Sequence, residues 1–538
     1  MKREKNASNH DVHLSSGAEI RRSRAVADEI CDGLKRYLAS RSLWVSKRDD
    51  RWLPSHVMLD LGKFGLLGMD CPEALGGCSL AVCDTLRVFE KLTTIDLRLS
   101  SFVALHNSLG LLPLVQTDQT MHAESIASIG AGRDLVAFSL AEAETQVDSI
   151  QRVGPSSANH TGKETWRLSG KKLWTTHAGL PARFHLFVRS CEENGSPLGM
   201  TGFHVDARSP QTFSGAESSR LRLTSVGENY VCFADVTLGR DTVIGVPGEG
   251  QKIAQNAIDR MRLYLSACAL GGIKYALSQV ERHVASRKDD GATFDRPHIY
   301  DRISSTIADF RALEVLIHSV SRPTAPRIAA YSVICAVARI IGTDGLWTTL
   351  HDVSGVSGVR SHAHESDRLT QMTLDAEALS KGESIEALLS LVGFSVGAGR
   401  QNVDEFIAVH LADTETASQL RNSIAWWLNN RLQLSEHEND ELNVRMGRVV
   451  ADGAMLAAWK RALRVDETIT IRSLYYRLVE SIDRMNALWG NGKHLASDAA
   501  RQLFESVRSC TNDTPSPSTS TDLSIMSADS DVEATESA

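Results

Sequence analysis

Leu135-Val136-Ala137-Phe138 opens a series of short apolar runs, continued by His185-Leu186-Phe187-Val188 and Tyr230-Val231-Cys232-Phe233, with Gly, Pro, Asn and Asp clustered between them. Short apolar runs bounded by turn formers are strand signals, so residues 135–246 are expected to form a small β domain. On both sides of it the spacing is helical. Val57, Leu59, Leu61 and Phe64, with turns marked by Gly65, Gly68, Gly76 and Gly77, predict a helical block over residues 19–134. After Gly248-Glu249-Gly250 the helical period returns and persists to about Cys510, with loops expected near Arg287–Pro297 and Gly355–Ser366. The order α, then β, then a long α region predicts an α+β fold class. Residues 1–18 and 511–538 are polar or acidic tails with too little apolar surface to offset ordering, and are expected to be disordered.

A chain of 538 residues is long enough for roughly three or four packed units. Its apolar share of 42% and charged share of 23% are those of globular proteins and argue against a fibrous or disordered chain. With 58 basic against 66 acidic residues and a net charge of -8, no surplus of cations exists to neutralise a phosphate backbone, which argues against nucleic-acid binding. The polar start and the lack of any run of about eighteen apolar residues predict a cytoplasmic location. Nine cysteines are scattered without a Cys-x-x-Cys pair, so no metal site is expected.

Several motifs, met in order over roughly residues 50 to 390, resemble the acyl-CoA dehydrogenase family of flavoproteins. Leu61-Gly62-Lys63-Phe64-Gly65-Leu66-Leu67-Gly68 followed by Pro72-Glu73-Ala74-Leu75-Gly76-Gly77 is similar to its opening segment, and Ala104-Leu105-His106-Asn107-Ser108-Leu109-Gly110 to its "H-x-SLG" helix. Ala137 to Asp148 falls where the family has "AxALTEPxAGSD", and Gly170-Lys171-Lys172-Leu173-Trp174-Thr175-Thr176-His177-Ala178 where it has "GxKxWITNA". Phe233-Ala234-Asp235-Val236, Gly248-Glu249-Gly250, Arg262 and Ala269-Leu270-Gly271 follow at family spacing. The resemblance implies a four-helix bundle over 247–398, after the helical and β domains, and an additional helical domain over 399–510.

It also implies FAD as cofactor. Phe138, Leu140, Ala141 and Asp148 would lie along the flavin, Ala141 replacing the Thr whose hydroxyl bonds the pyrimidine edge. Trp174 would cover the ring, with Thr175 and Thr176 beside it. Arg287, and Phe294 after an insertion, occupy the place of a pyrophosphate-binding segment from a second subunit. Asp352 and Gly355 stand in the loop that approaches the adenosine, with Asp in place of Gln.

The family's base is a carboxylate eight residues after an Asp, and counting from Asp375 lands on Glu383. A one-gap register would place Lys381 there instead, and a base on the earlier helix would require Asp259, because Met261 holds that family's alternative position. The implied reaction is α,β-dehydrogenation of an acyl thioester of CoA or of a carrier protein, with an electron-transfer flavoprotein as acceptor. Two alternatives stay open: a flavin oxidase or monooxygenase, and a non-catalytic subunit dependent on a partner. The implied assembly is a homodimer or homotetramer, or a pairing with a homologous subunit.

Overall fold

A computed structural model describes residues 17–40, 55–140, 156–162, 164–176, 181–208, 212–214, 228–286, 297–321, 331–357, 367–381, 383–397, 418, 422 and 436–462, all within the unit Met1–Asp483. The expected N-terminal tail up to residue 16, the C-terminal tail and most of the expected extension lie outside these residues, whereas Gly17 and Ala18 already belong to the first helix. The fold is α+β, with helices before and after one sheet.

The N-terminal helices are α1 (Gly17–Ser40), α2 (Ser55–Lys63), α3 (Val82–Thr93), α4 (Leu97–Leu105), α5 (Leu112–Val115) and α6 (Ala123–Gly130). Asp96 starts α4 by accepting from the Leu99 N–H at 3.0 Å, which satisfies one of the amide donors that a helix start leaves open. Between α4 and α5, His106–Leu111 forms a π-helical turn. Asn107 explains its attachment: its amide donates to Leu66 O at 2.8 Å and accepts from Met69 N at 3.1 Å. Two motifs that are far apart in sequence are thus stitched side by side. Within the first of them Gly65 turns the chain at φ 77°, where a Cβ would lie 2.4 Å from Cys78 Sγ.

The sheet contains β1 (Val136–Ser139), β2 (Ser157–His160), β3 (Thr165–Thr176), β4 (Arg183–Cys191), β5 (Pro197–Asp206), β6 (Thr212–Ser214), β7 (Glu228–Gly239) and β8 (Val243–Ile244). Its strand order is β6-β7-β3-β1-β4-β5-β8, and β2 shares the gap between β3 and β4 with β1. β1 runs parallel to β4 and antiparallel to β3, which sets Phe138 opposite Thr176. Trp166 anchors the core of this layer, edge-on to Phe203 at 5.7 Å and to His160 at 4.8 Å, among Leu168, Phe184 and Val231. Its large apolar area makes it the layer's main packing residue.

The C-terminal helices are α7 (Gly250–Ser286), α8 (Pro297–Val320), α9 (Tyr331–Ser357), α10 (Asp367–Lys381) and α11 (Ile385–Gly397), followed by α12 (Glu436–Ala462). α7 is central: it packs on α9 within the bundle and on α3, α4 and β5 outside it. Gly271 permits the crossing with α3, since a Cβ there would lie 2.3 Å from Glu90 O. α9 is long and apolar enough to cross a membrane over Tyr331–Ser354, but 72% of that window is buried inside the chain. Its apolar surface is covered by α7, α8, α10 and α11, as befits a core helix. α12 lies beyond the bundle and packs mainly on α11 and α8.

One local expectation is corrected. The sequence pattern placed a loop near Gly355–Ser366 and the resemblance put Asp352 in a loop, but residues 352–357 continue α9 to its end. A single Gly355 costs only about 1 kcal/mol relative to Ala in a helix, too little to stop a helix whose buried side is already paid for by packing.

Three histidines are buried where α6 meets the sheet. His185 and His204 are cross-strand partners with ring centroids 5.0 Å apart, and His122 lies 5.6 Å from His204. His185 Nδ1 faces Leu109 O at 3.3 Å and His122 Nε2 faces Val243 O at 3.2 Å. Burial pulls His185 down to about 3 and His106, in the π turn, to about 4, while His204 is pulled well below the ordinary range by burial and by its neighbours His185, His122 and Arg183. Folding therefore keeps these imidazoles neutral, whereas the unfolded chain protonates them near pH 6.5. The unfolded state binds more protons below that pH, so stability is full above it and is lost as pH falls from 6.5 toward 4. Each such histidine withdraws up to about 1.4 kcal/mol per pH unit. Melting temperatures are expected to fall steeply between pH 6.5 and 5, above the carboxylate range, and less steeply in His204→Phe. A flat profile over that interval would contradict the assignment.

Candidate active site

Helix α7 carries polar groups on two sides. Toward the N-terminal helices, buried Tyr264 donates to Asp70, which also accepts from Thr85 Oγ1 at 3.3 Å. Arg260 lies 3.9 Å from Asp70 and donates to Tyr264 Oη at 3.4 Å. One turn apart on another side, Asp259 and Arg262 face α9 and the end of α10.

Arg262 meets the sequence-predicted base. Its Nε and Nη2 donate to Glu383 Oε1 at 3.0 and 2.5 Å, and its Nε approaches Oε2 at 3.3 Å. Nη1 reaches Asp259 Oδ1 at 3.4 Å. One guanidinium thus serves two carboxylates. Burial works against the charge on Arg262, but Glu383 and Asp259 outweigh it and hold the group above its ordinary value. Burial pushes Asp259 up, opposed by Arg262, by a bond from Ser332 and by one from Gln255 Nε2 at 2.8 Å.

Glu383 occupies the short connection between α10 and α11, where three contacts fix it. Arg339 on α9 donates to Leu379 O at 2.6 Å, near the end of α10. Ser384 Oγ accepts from Ala387 N at 3.0 Å and so caps the start of α11. Arg262 holds the carboxylate itself. Farther up α10, Asp375 accepts from Gln371 at 2.9 Å and lies 3.7 Å from Arg98. The Glu383 side chain keeps 19% exposure, so it is held by Arg262 without being fully buried.

A second site-forming junction lies where β1 ends beside β3. The pairing of Phe138 with Thr176 brings residues 138–140 next to the end of β3. Ser139 Oγ and Thr175 Oγ1 bond at 2.9 Å, both fully buried, and buried Lys172 donates to Leu140 O at 3.0 Å. Phe138 packs on Phe187 at 5.1 Å. The Thr175 hydroxyl is thereby spent inside the sheet and braces the junction rather than facing a ligand.

Of the remaining sequence-predicted residues, Trp174 and Thr176 are placed on β3 by their backbone, and Asp352 and Gly355 on the last turns of α9, Asp352 being buried. Ala141, Asp148, Arg287 and Phe294 lie outside the described residues. The structure brings Phe138, Leu140 and Thr175 together, and separately joins Glu383 to Arg262. Arg339 and Lys172 were not singled out from sequence. The signal for Arg339 was available, because a lone cation in the apolar stretch of α9 is rarely buried without a task.

Residues 22–119 match the acyl-CoA dehydrogenase N-terminal domain, and residues 248–383 match the acyl-CoA dehydrogenase C-terminal domain. The two matches flank the sheet, and the second ends at Glu383. Over these two segments the chain is similar to the acyl-CoA dehydrogenase family. Among curated members, it is 23% identical over 311 residues to mitochondrial isobutyryl-CoA dehydrogenase of Dictyostelium discoideum, covering 56% of this chain and 72% of that protein. Against very long-chain specific acyl-CoA dehydrogenase of Rattus norvegicus the identity is 21%, covering 55% of this chain and less than half, 46%, of that protein. A solved acyl-CoA dehydrogenase from Bacillus anthracis, complexed with FAD, superposes with a TM-score of 0.68 at 16% identity and covers 90% of each chain. That likeness reaches past the bundle, whereas the C-terminal domain match stops before α11.

Proposed function

We propose that this chain is an FAD-dependent oxidoreductase that introduces an α,β double bond into an acyl thioester of CoA or of a carrier protein. The observation that carries this reading is the Glu383 carboxylate, fixed between two helix ends by a buried guanidinium and still partly exposed.

The residues present fit a flavin ring at the end of β1 and β3. The main chain of 138–140 lies against the end of β3, and the Ser139–Thr175 and Lys172–Leu140 bonds hold that edge in place. Backbone donors and acceptors suit a neutral heteroaromatic edge. Phe138, Leu140 and the end of β3 at Trp174–Thr176 would hold the ring, which when bound supplies the acceptor for the β-hydride.

Glu383 then takes the α-proton. A carboxylate offers about four lone-pair positions; Arg262 places two donors on Oε1 and only the longer 3.3 Å approach on Oε2, so Oε2 keeps a position to receive the proton while the ion pair persists. Arg262 fixes the direction of attack, and fixed direction is a large part of what positioned bases contribute. On the same reading the protein acts in the cytoplasm as a homodimer or homotetramer, or beside a homologous subunit, and passes electrons to an electron-transfer flavoprotein. The family resemblance supports the assembly and acceptor.

The test is the visible spectrum of the full chain after incubation with FAD, followed anaerobically during addition of an acyl thioester. A protein-bound flavin band that bleaches with thioester is the expected result. Failure to retain FAD, or a bound flavin that stays oxidised with CoA and carrier thioesters alike, would overturn the reading.

A further inference from the structure

Arg339 lies within α9, fully buried, yet no carboxylate lies within ion-pair distance of it among the described residues. Its Nη1 bonds Thr343 Oγ1 at 2.7 Å, its Nη2 bonds Leu379 O at 2.6 Å, and its Nε has no hydrogen-bond partner. A buried guanidinium with one donor unmatched is costly, and burial pulls its pKa down to about 10, with Glu383 opposing that loss and Arg262 adding to it. Side-chain packing alone gives no reason for a charge here, since the surrounding positions of α9 are Val337, Ala338 and Ile340.

What the guanidinium reaches supplies the reason. Leu379 is two residues before the end of α10 at Lys381, where carbonyls have no helical partners and the helix dipole is negative. A cation at that end is favourable twice over, by hydrogen bond and by field. Glu383 follows directly. The charged groups facing Arg339 are Glu383 and Arg262, together with the Cys268 thiol of α7. With Asp259, which bonds Arg262, the set contains two cations and two carboxylates. Arg339 is thus the second cation of a cluster in which Arg262 alone would face two anions.

We propose that Arg339 is a positioning residue for Glu383: it pins the C-terminal end of α10 and so fixes the turn that presents the carboxylate to substrate. This deepens the proposed function and rests on it for its catalytic consequence, but the pinning itself does not. Without the pin, the α10 end frays, and Glu383 samples directions other than the one in which Arg262 holds it.

The experiment compares Arg339→Gln and Arg339→Lys with the parent full-length protein, by amide hydrogen exchange and by anaerobic thioester titration of the FAD-loaded enzyme. Exchange in peptides spanning 378–386 is expected to quicken about tenfold or more in Arg339→Gln, the loss of one charge-assisted bond, with the sheet peptides unchanged. The reduction rate constant is expected to fall by at least tenfold while the thioester concentration at half-saturation stays within twofold. Arg339→Lys, which keeps the charge but not the two-pronged bond to Thr343 and Leu379, is expected to fall between the parent and Arg339→Gln, with exchange at 378–386 still faster than in the parent. Unchanged exchange at 378–386 in folded Arg339→Gln would overturn the proposal, as would a loss confined to substrate binding. If Arg339→Gln fails to fold, Arg339→Lys alone decides: faster exchange at that junction supports the pin, and parent-like exchange with a lowered rate rejects it. A parent enzyme inactive on thioesters would defeat the proposed function while leaving the exchange result to decide the pin.

Discussion

Glu383→Gln is expected to retain FAD and the parent's spectrum while lowering the rate of thioester-dependent flavin reduction by about 10²–10⁴, the range for loss of a positioned acid or base. The amide matches the carboxylate in size and still offers Oε1 to Arg262, so the connection between α10 and α11 keeps its shape. What it lacks is basicity. Stability is expected to change little, because Arg262 keeps Asp259 as a counter-charge at 3.4 Å, and because the lost partner is one of two. Rapid-mixing absorbance at the flavin band separates the two possibilities. Reduction at the parent's rate would remove Glu383 as base and turn attention to Asp259, the other carboxylate on the same guanidinium. Asp259 is a poor substitute on geometry, since Ser332, Gln255 and Arg262 already take its lone pairs.

That outcome also measures how much of the site was legible in the sequence. The order of helical and strand periodicities was readable because burial imposes it directly: Trp166, Phe184 and Val231 must face one core, and Val57 and Leu61 another. Glu383 was found by counting along a motif, since it lies a fixed distance from Asp375 on a continuous helix and its short connection. Arg262 was visible as a motif position, but its bond to Glu383 spans 121 residues, and no local spacing encodes such a pairing. Thr175 shows the limit from the other side. Its type and place suggested a ligand contact, yet β3 shifts register between Lys172 and Thr175, and the hydroxyl bonds Ser139 within the sheet. The end of α9 was misread as a loop because glycine was weighed as a breaker without the packing that overrides it.

Arg262→Met is expected to be among the most destabilising single substitutions in the bundle, by about 3–5 kcal/mol, because it removes one member of a buried ionic group and leaves the others unmatched. Methionine fills nearly the same volume, so the loss is not a cavity effect. Asp259 is left 1% exposed in its side chain with no cation in contact among the described residues, and Glu383 loses its fork. The sign of the pH dependence follows from Asp259, whose pKa burial already raises and which Arg262 is the first group to oppose. With Arg262 gone, the folded state holds a proton on Asp259 more tightly than the unfolded chain does. A raised folded pKa means that the folded state binds more protons, so the variant regains stability relative to the parent as pH falls from 7.5 toward 5.5. The parent loses stability over the same range through its buried histidines, and the difference between the two proteins cancels that shared trend. Melting curves of both at the two pH values provide the measurement. A deficit that is constant with pH would mean that Asp259 is matched by something other than Arg262. A double variant, Arg262→Met with Asp259→Asn, is expected to recover part of the loss at pH 7.5, since a neutral amide removes the stranded charge; a double variant no better than Arg262→Met alone would place the cost in packing instead.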